Sequence, residues 1–241
     1  MLKHIFFDLD DTLTKSRGVM SEKHQALFVQ LCTSMDVIVV SGAQESQIRT
    51  QIPLTLGAKF YILAQSGNHA IAKDGTTLWY ELLNSKQSAA VLEVIALFKK
   101  ELQIAVRDED DLIEHRGSQI GYSILGHHEE SAKKYAFDPG SARRVALLKA
   151  HATELAHLHQ LGVDAVPGGT TSIDFILAGR NKGFNIEQLV EHEKWEENEC
   201  LYLGDALYSG GNDASVIGVI PTTPVESPDE CFDFIKNKLL S

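Results

Sequence analysis

The sequence predicts an α/β protein built on a parallel sheet, with a second α/β unit inserted into the chain. Short, wholly apolar runs that end in acidic or small residues alternate with longer amphipathic segments, as in buried parallel strands joined by helices. Between the second and third of these runs, the segment 82–180 carries helix and strand signals of its own. We therefore expect a core formed by residues 1–81 and 181–241 and an inserted unit formed by residues 82–180.

Three apolar runs are predicted as strands of the core. Each run is followed at once by small or acidic residues: Ile5–Phe7 by Asp8, Val37–Val40 by Ser41 and Gly42, and Leu201–Leu203 by Gly204 and Asp205. Ligands of open α/β sheets bind beyond the carboxyl ends of the strands. We therefore expect the three polar endings to converge on one site, although they lie far apart in the sequence.

The remaining segments carry helix and loop signals. In the inserted unit the pattern predicts a helix over Lys86–Leu102, strand-like residues 111–125, a long helix over Ser141–Leu161 and a strand over Thr171–Leu177. After it, the pattern predicts a helix over Lys182–Glu193, a loop over Pro221–Pro228 and a last helix near Pro228–Leu239.

Composition limits the function classes. With 44% hydrophobic and 23% charged residues, the chain is not of the disordered type. A net charge of −11 without long basic runs argues against nucleic acid or anionic lipid as partners, but leaves a small anionic substrate open. Three scattered cysteines form no disulfide framework or zinc motif, and no apolar stretch is long enough to span a bilayer. We expect a cytoplasmic protein.

Paired carboxylates follow the first predicted strand. Asp8 and Asp10 stand where that strand breaks into a loop, and Asp205 would add a third carboxylate. Two carboxylates about 4 Å apart repel by roughly 4 kcal/mol at an effective dielectric near 20, so a shared cation or proton must hold them together. Hard oxygen donors without histidine or thiol suit Mg²⁺. Asp8 and Asp10 could equally be turn or helix-capping residues when considered alone.

The complete set of motifs is more specific than its parts. It consists of Asp8-x-Asp10-x-Thr12-Leu13-Thr14, the apolar run into Ser41-Gly42, the single Lys182, and Gly204-Asp205 followed by Gly210-Gly211-Asn212-Asp213. In order and context this set resembles the four motifs of the haloacid dehalogenase superfamily. The resemblance implies a Rossmann-like core and, for the inserted segment, an α+β cap that reads the substrate.

The same resemblance implies phosphoryl transfer through an aspartyl-phosphate. Asp8 would be the nucleophile and Asp10 the general acid and base, while Ser41 and Lys182 would hold the transferring phosphoryl group. The cofactor would be Mg²⁺, and the expected metal-binding residues are Asp8, Asp10, Asp205 and Asp213.

Within the inserted segment the chain is most similar to eukaryotic-type phosphomannomutases. The similar motifs are Ile113-Glu114-His115-Arg116, Ser123-Ile124-Leu125-Gly126-His127 and Gly168-Gly169-Thr170-Thr171-Ser172-Ile173-Asp174. The resemblance implies that Arg116 grips a non-reacting phosphate and that Ser172 and Asp174 bond sugar hydroxyls. The full set of expected substrate-binding residues is Arg17, Gly42, Arg116, Ser123, His127, Ser172 and Asp174.

One departure bears on the reaction. His127 stands where that family has an arginine, which removes a permanent positive charge needed to hold a second phosphate. This favours a phosphatase acting on a hexose phosphate, with phosphomannomutase activity as the alternative. A non-catalytic phosphosugar-binding protein would need neither Asp8 nor Asp10, and a regulator that carries an aspartyl-phosphate would lack a large cap. The resemblance also suggests a cap-mediated homodimer.

Overall fold

A seven-stranded sheet forms the first of two units in this computed structural model, which describes residues 1–53 and 57–240. The first unit is Met1–Tyr80 with Arg180–Ser241, and the second is Glu81–Gly179. The strands of the first unit are β1 (His4–Phe7), β2 (Asp36–Val40), β3 (Tyr61–Ala64), β4 (His69–Ile71), β5 (Thr77–Tyr80), β10 (Cys200–Gly204) and β11 (Thr222–Pro224). Its helices are α1 (Glu22–Ser34), α2 (Glu45–Gln51), α7 (Lys182–Glu193) and α8 (Pro228–Phe234).

The strand order is β11-β10-β1-β2-β3-β4-β5, and the first five strands run parallel. β1 is central: Phe7 lies opposite Val39 of β2 and Leu203 of β10. The carboxyl ends of the three strands predicted from sequence therefore lie side by side. The α/β fold class is confirmed.

Both faces of this sheet are covered, which explains why its strands are uniformly apolar. Ile5 and Phe7 of β1 belong to one buried cluster with residues of α1, α2 and α8. Phe6, which points to the opposite face, belongs to a second cluster with residues of α7. The polar residues that follow the strands are thus attached to a sheet that is buried on both faces.

The second unit packs helices against a four-stranded antiparallel sheet of order β6-β7-β9-β8. Its strands are β6 (Ile113–His115), β7 (Gln119–Ser123), β8 (Val163–Gly168) and β9 (Ser172–Leu177). Its helices are α3 (Ser85–Leu102), α4 (Ser131–Phe137), α5 (Ala142–Ala150) and α6 (Ala152–Gln160). One apolar cluster, which includes Phe98 of α3 and Phe175 of β9, fills this unit.

Several local predictions are wrong. The long helix over 141–161 is interrupted at His151, whose backbone leaves helical geometry (φ −103°, ψ 29°) and whose ring bonds Glu101 of α3 at 2.7 Å. The loop over 221–228 contains β11, an edge strand where proline is tolerated because one side needs no ladder bonds. By contrast, the prediction of strand-like residues over 111–125 is confirmed, because β6 and β7 form an antiparallel hairpin there. The sequence pattern does not predict β3, β4, β5 or β8.

Within residues 1–53 and 57–240, no helix combines the length and apolar character that crossing a bilayer requires.

Candidate active site

The loop after β1 carries the first predicted motif. Asp8 extends β1 by one bond, because its N–H donates to the Leu203 carbonyl at 2.9 Å. The chain then turns: Leu13 and Thr14 both donate backbone N–H groups to the Leu9 carbonyl. Asp11 has a positive φ of 60°, a conformation that aspartate tolerates better than most residues other than glycine. This turn leaves Asp8 at the carboxyl end of β1, while the residues after it fold back toward Leu9.

A buried ion-pair cluster lies where β1, β10 and α7 meet. The Lys182 ammonium donates to Asp8 Oδ1 at 2.5 Å and to Asp213 Oδ1 at 2.7 Å. Lys182 is the first residue of α7, whose start is capped by the Asn181 side chain accepting from the Phe184 N–H at 3.0 Å. All three charged groups of this ion-pair network are buried. The structure thus joins residues that are separated by 174 positions in the sequence.

The carboxylates of Asp8, Asp205 and Asp213 form a potential metal site. One oxygen from each lies within 4.8 Å of the other two. The three carboxylates and one ammonium leave a deficit of positive charge that a divalent cation would offset. Oxygen donors of this kind suit Mg²⁺. The residues therefore fit the cofactor that the sequence predicts.

Neighbouring groups fix the orientation of these carboxylates. Tyr202 Oη donates to Asp213 Oδ1 at 2.6 Å, and the Ala206 N–H donates to Asp213 Oδ2 at 3.2 Å. Thr12 Oγ1 donates to Asp205 Oδ1 at 3.3 Å. Gly204 must lack a side chain, since a Cβ there would lie 2.3 Å from Asp213 Oδ2. The site is therefore organised by its surroundings before any ligand binds.

Burial and crowding shift the acid–base properties of the cluster. Burial raises the pKa of Asp8 well above its usual value against the opposing effect of Lys182. Burial and the neighbouring Asp213 raise the pKa of Asp205 to about 6. Burial acts to lower the pKa of Lys182, but attraction to Asp213 and Asp8 outweighs it and raises that pKa. Such opposed environments are typical of functional sites.

Asp10 is held by the backbone of the same loop. Its Oδ1 accepts the backbone N–H of Arg17 at 2.8 Å, and Arg17 adopts a positive φ of 56°. Burial raises the pKa of Asp10, while the hydrogen bond from Arg17 opposes that rise. Among the described residues, the three clustered carboxylates are those of Asp8, Asp205 and Asp213, and the metal-binding role of Asp10 stays a prediction.

The second predicted motif lies in the loop that follows β2. The Ser41 N–H donates to the Leu63 carbonyl at 3.0 Å, and Ser41 Oγ accepts the Ala43 N–H at 3.1 Å across Gly42. The Ser41 carbonyl also accepts the N–H of Ser66, a residue with a positive φ of 60°. Ser41 is thus buried and fixed at the carboxyl end of β2, next to β1.

In the second unit, Arg116 lies at the turn between β6 and β7. Its Nε and Nη2 atoms donate to Glu114 Oε2 at 3.0 and 2.6 Å, and its Nη1 atom lies 3.9 Å from Asp174 Oδ1. The His127 ring is buried, with Nδ1 3.6 Å from Glu114 Oε2. Gly121 allows this packing, because a Cβ there would lie 3.2 to 3.3 Å from Arg116, Asp174 and His127. Four polar side chains therefore share one face of this sheet.

Ser123 and Ser172 lie at the same end of the second sheet. They are partners in the β7–β9 register, and Ser172 is partly exposed. Ser123 is 0% exposed, and its hydroxyl pairs with Thr171 Oγ1 at 3.1 Å. The contact of Ser123 with substrate stays a prediction.

The parallel sheet, its covering helices and the acidic site at the strand ends define a haloacid dehalogenase-like fold. A family model described as haloacid dehalogenase-like hydrolase matches residues 5–218, and the chain belongs to this family. Solved structures agree in fold. The chain is similar to SMU.1108c from Streptococcus mutans UA159 (17% identity, all of both chains, TM-score 0.70). It is also similar to the IMP-nucleotidase of Plasmodium falciparum (16% identity, 98% of this chain, 68% of that chain, TM-score 0.67).

The particular relatives are phosphomannomutases. The chain is 26% identical to phosphomannomutase 2 of Dictyostelium discoideum, over 87% of this chain and 84% of the relative. It is 24% identical to phosphomannomutase of Spinacia oleracea, over 96% and 95% of the two chains. These comparisons confirm the resemblance inferred from the sequence motifs.

Proposed function

We propose that the protein is a Mg²⁺-dependent phosphatase that hydrolyses a hexose monophosphate through an aspartyl-phosphate on Asp8. The observation that carries this proposal is the buried ion-pair cluster at the carboxyl end of β1, where Lys182 holds Asp8 and Asp213. A binding protein needs no nucleophile, and burying these charges has a substantial free-energy cost that a catalytic role explains.

The chain's own groups account for the reaction. An oxygen of the Asp8 carboxylate forms a bond to phosphorus as the bond from phosphorus to the sugar oxygen breaks. The leaving oxygen takes its electron pair and receives a proton from Asp10, whose pKa is raised by burial. In the second half, Asp10 removes a proton from water, which attacks the phosphorus of the aspartyl-phosphate. Inorganic phosphate leaves and the Asp8 carboxylate is restored.

Positive charge and positioning supply the remaining catalysis. Lys182 and the Ser41 hydroxyl would hold the transferring phosphoryl group, with Gly42 alongside. Asp8, Asp205 and Asp213 would hold Mg²⁺, which when bound neutralises charge on the phosphoryl oxygens. In the second unit, Arg116, Ser172 and Asp174 would contact the sugar, and in the first unit Arg17 would contribute to substrate binding.

The proposal favours hydrolysis because of the charges in the second unit. A mutase must hold a bisphosphate in two orientations, which demands strong cationic groups away from the reacting phosphate. The Arg116 guanidinium is ion-paired with Glu114, and position 127 is a histidine instead of an arginine. A neutral sugar with many hydroxyl groups suits Glu114 and Asp174 better than a second phosphate does.

Phosphomannomutase activity is the second candidate. The similarity to phosphomannomutases over most of the chain supports it. So does Lys134, whose buried ammonium donates to the His127 carbonyl at 3.0 Å and adds a permanent positive charge there. Mannose 1-phosphate given with a hexose bisphosphate activator separates the two reactions. Phosphate release that outpaces isomerisation supports hydrolysis, and the opposite order would establish the mutase.

Replacing the nucleophile tests whether the chain is an enzyme at all. In Asp8→Asn we expect Mg²⁺-dependent release of phosphate from para-nitrophenyl phosphate to fall by at least about 1,000-fold, because an amide cannot form the covalent intermediate. The control Asp233→Asn changes an exposed aspartate of α8 and should retain full activity. Undiminished turnover in Asp8→Asn would defeat the catalytic assignment.

A further inference from the structure

A buried arginine in the second unit makes an unusually complete set of hydrogen bonds. Arg144 of α5 is 1% exposed, and its Nε donates to Asp138 Oδ2 at 2.7 Å. Its Nη2 donates to Ser141 Oγ at 2.7 Å. Asp138 is also buried, and its Oδ1 accepts the Arg143 N–H at 2.8 Å. The pair is therefore fixed to the start of α5 and cannot move independently of that helix.

The remaining side-chain hydrogen bonds of Arg144 all go to one turn of the chain. Its Nη1 donates to the carbonyls of Gly168 at 2.6 Å, Gly169 at 2.9 Å and Ser172 at 2.9 Å. These residues belong to the turn 168–172, which joins β8 to β9. A planar guanidinium can bridge several acceptors in a fixed geometry, whereas an ammonium on a flexible stem cannot. Arg144 thus fixes the turn to α5.

The turn 168–172 in turn fixes two residues that the proposed function places against the sugar. Ser172 is bonded to Arg144 through its own carbonyl, and Asp174 lies two residues further along β9, on the same face. The Asp174 carboxylate lies directly against Gly168, where a Cβ would be 2.2 Å from its Oδ2. A shift of the turn must therefore move both Ser172 and Asp174.

We propose that Arg144 is a positioning residue for substrate recognition: through the turn 168–172 it sets the placement of Ser172 and Asp174 without touching the substrate. This inference rests on the proposed function, since it takes Ser172 and Asp174 as sugar contacts. It assigns Arg144 an effect on the sugar and none on the phosphoryl-transfer chemistry of Asp8.

The test is Arg144→Lys, which keeps the positive charge beside Asp138 but loses the planar guanidinium that bonds the turn 168–172. For the hexose monophosphate that the wild type hydrolyses best, we expect KM to rise about 10- to 100-fold. For para-nitrophenyl phosphate, which offers no hydroxyl groups to Ser172 or Asp174, kcat/KM should stay within about twofold. The matched control Arg143→Lys alters the exposed neighbour, which packs on the Phe137 ring, and should change neither value.

Hydrogen exchange provides a readout that does not depend on activity. In Arg144→Lys the amides of residues 169–174 should exchange faster than in Arg143→Lys, while those of α3 stay unchanged. If Arg144→Lys does not fold, the double variant Asp138→Asn with Arg144→Gln removes both buried charges together and is measured in its place.

The outcomes separate this inference from the proposed function. Unchanged exchange in the turn, an unchanged KM for the sugar phosphate, or equal losses on both substrates would overturn the role of Arg144. If the wild type hydrolyses para-nitrophenyl phosphate but no hexose phosphate, the sugar-phosphate assignment fails, and so does the recognition role of Arg144. Absence of all Mg²⁺-dependent turnover would instead refute the phosphatase itself.

Discussion

Removing the positive charge of Lys182 should destabilise the protein strongly. Lys182→Met leaves Asp8 and Asp213 buried without the ammonium that now lies 2.5 and 2.7 Å from their oxygens. Breaking a buried ion pair by deleting one partner typically costs 3–5 kcal/mol, because an uncompensated charge remains. For a chain of this size, about 2–4 °C of melting temperature is lost per kcal/mol, so we expect Tm to fall by roughly 6–20 °C.

A divalent cation should reduce the loss of stability caused by Lys182→Met. With Lys182 removed, the three carboxylates carry more uncompensated charge, so Mg²⁺ should stabilise Lys182→Met more than it stabilises the wild type. Thermal and urea unfolding are measured for both proteins in EDTA and in excess Mg²⁺. Phosphatase activity should fall by about 100-fold or more in both conditions, since Lys182 would also hold the phosphoryl group.

The control is Lys86→Met, which alters an exposed lysine in the first turn of α3 and should leave stability and activity unchanged. An unfolding free energy of Lys182→Met in EDTA equal to that of the wild type would contradict this prediction. A protonated carboxylate could then replace the ion pair without cost.

Two further predictions follow from neighbouring contacts. Tyr202→Phe removes the Oη donor to Asp213 and should weaken Mg²⁺ binding by about 10-fold, measured by calorimetry, with little change in fold; unaltered affinity would show that this contact does not orient the site. His4 is buried against the Trp195 ring, and burial lowers its pKa below the usual 6.5 although Asp36 opposes this. The unfolded chain then binds a proton that the folded chain does not, so stability should decline as the pH falls below about 6.5. Urea unfolding of His4→Phe at pH 7.5 and 5.5 should show a smaller decline, whereas His157→Phe, at an exposed position, should behave as the wild type.

The sequence predicts that Asp8, Ser41 and Asp205 lie close together. Each follows a short apolar run typical of a buried parallel strand, and the carboxyl ends of such strands lie on the same side of the sheet. The sequence does not predict the hydrogen bond from Tyr202 to Asp213, because an aromatic residue inside a buried strand is typical of a hydrophobic core. Only the tertiary structure shows that the Tyr202 hydroxyl contacts Asp213. The loop after β1 shows the same limit, because the positive φ of Asp11 is a local geometry that residue types alone do not specify.

In the second unit the missed features are those that depend on tertiary contacts. Strand β8 contains Asp164 and Pro167, which weaken a strand signal, but it lies at the edge of its sheet, where such residues are tolerated. Arg144 occupies a helix that resembles an ordinary amphipathic one, and only the packing of the turn 168–172 against it reveals a buried arginine. The long helix predicted across His151 fails because the contact with Glu101 lies outside any local window.

The central place of β1 in its sheet has a consequence for how this chain folds during synthesis. β1 emerges first, but its neighbour β10 and the lysine of α7 follow only after the whole unit Glu81–Gly179 has been made. The inserted unit, whose strand pairs all lie within its own segment, can form while the first sheet is still incomplete. The ion-pair cluster of Asp8, Lys182 and Asp213 can therefore form only after the inserted unit has been made, and a chain that stops before β10 contains Asp8 and Lys182 but lacks Asp205 and Asp213.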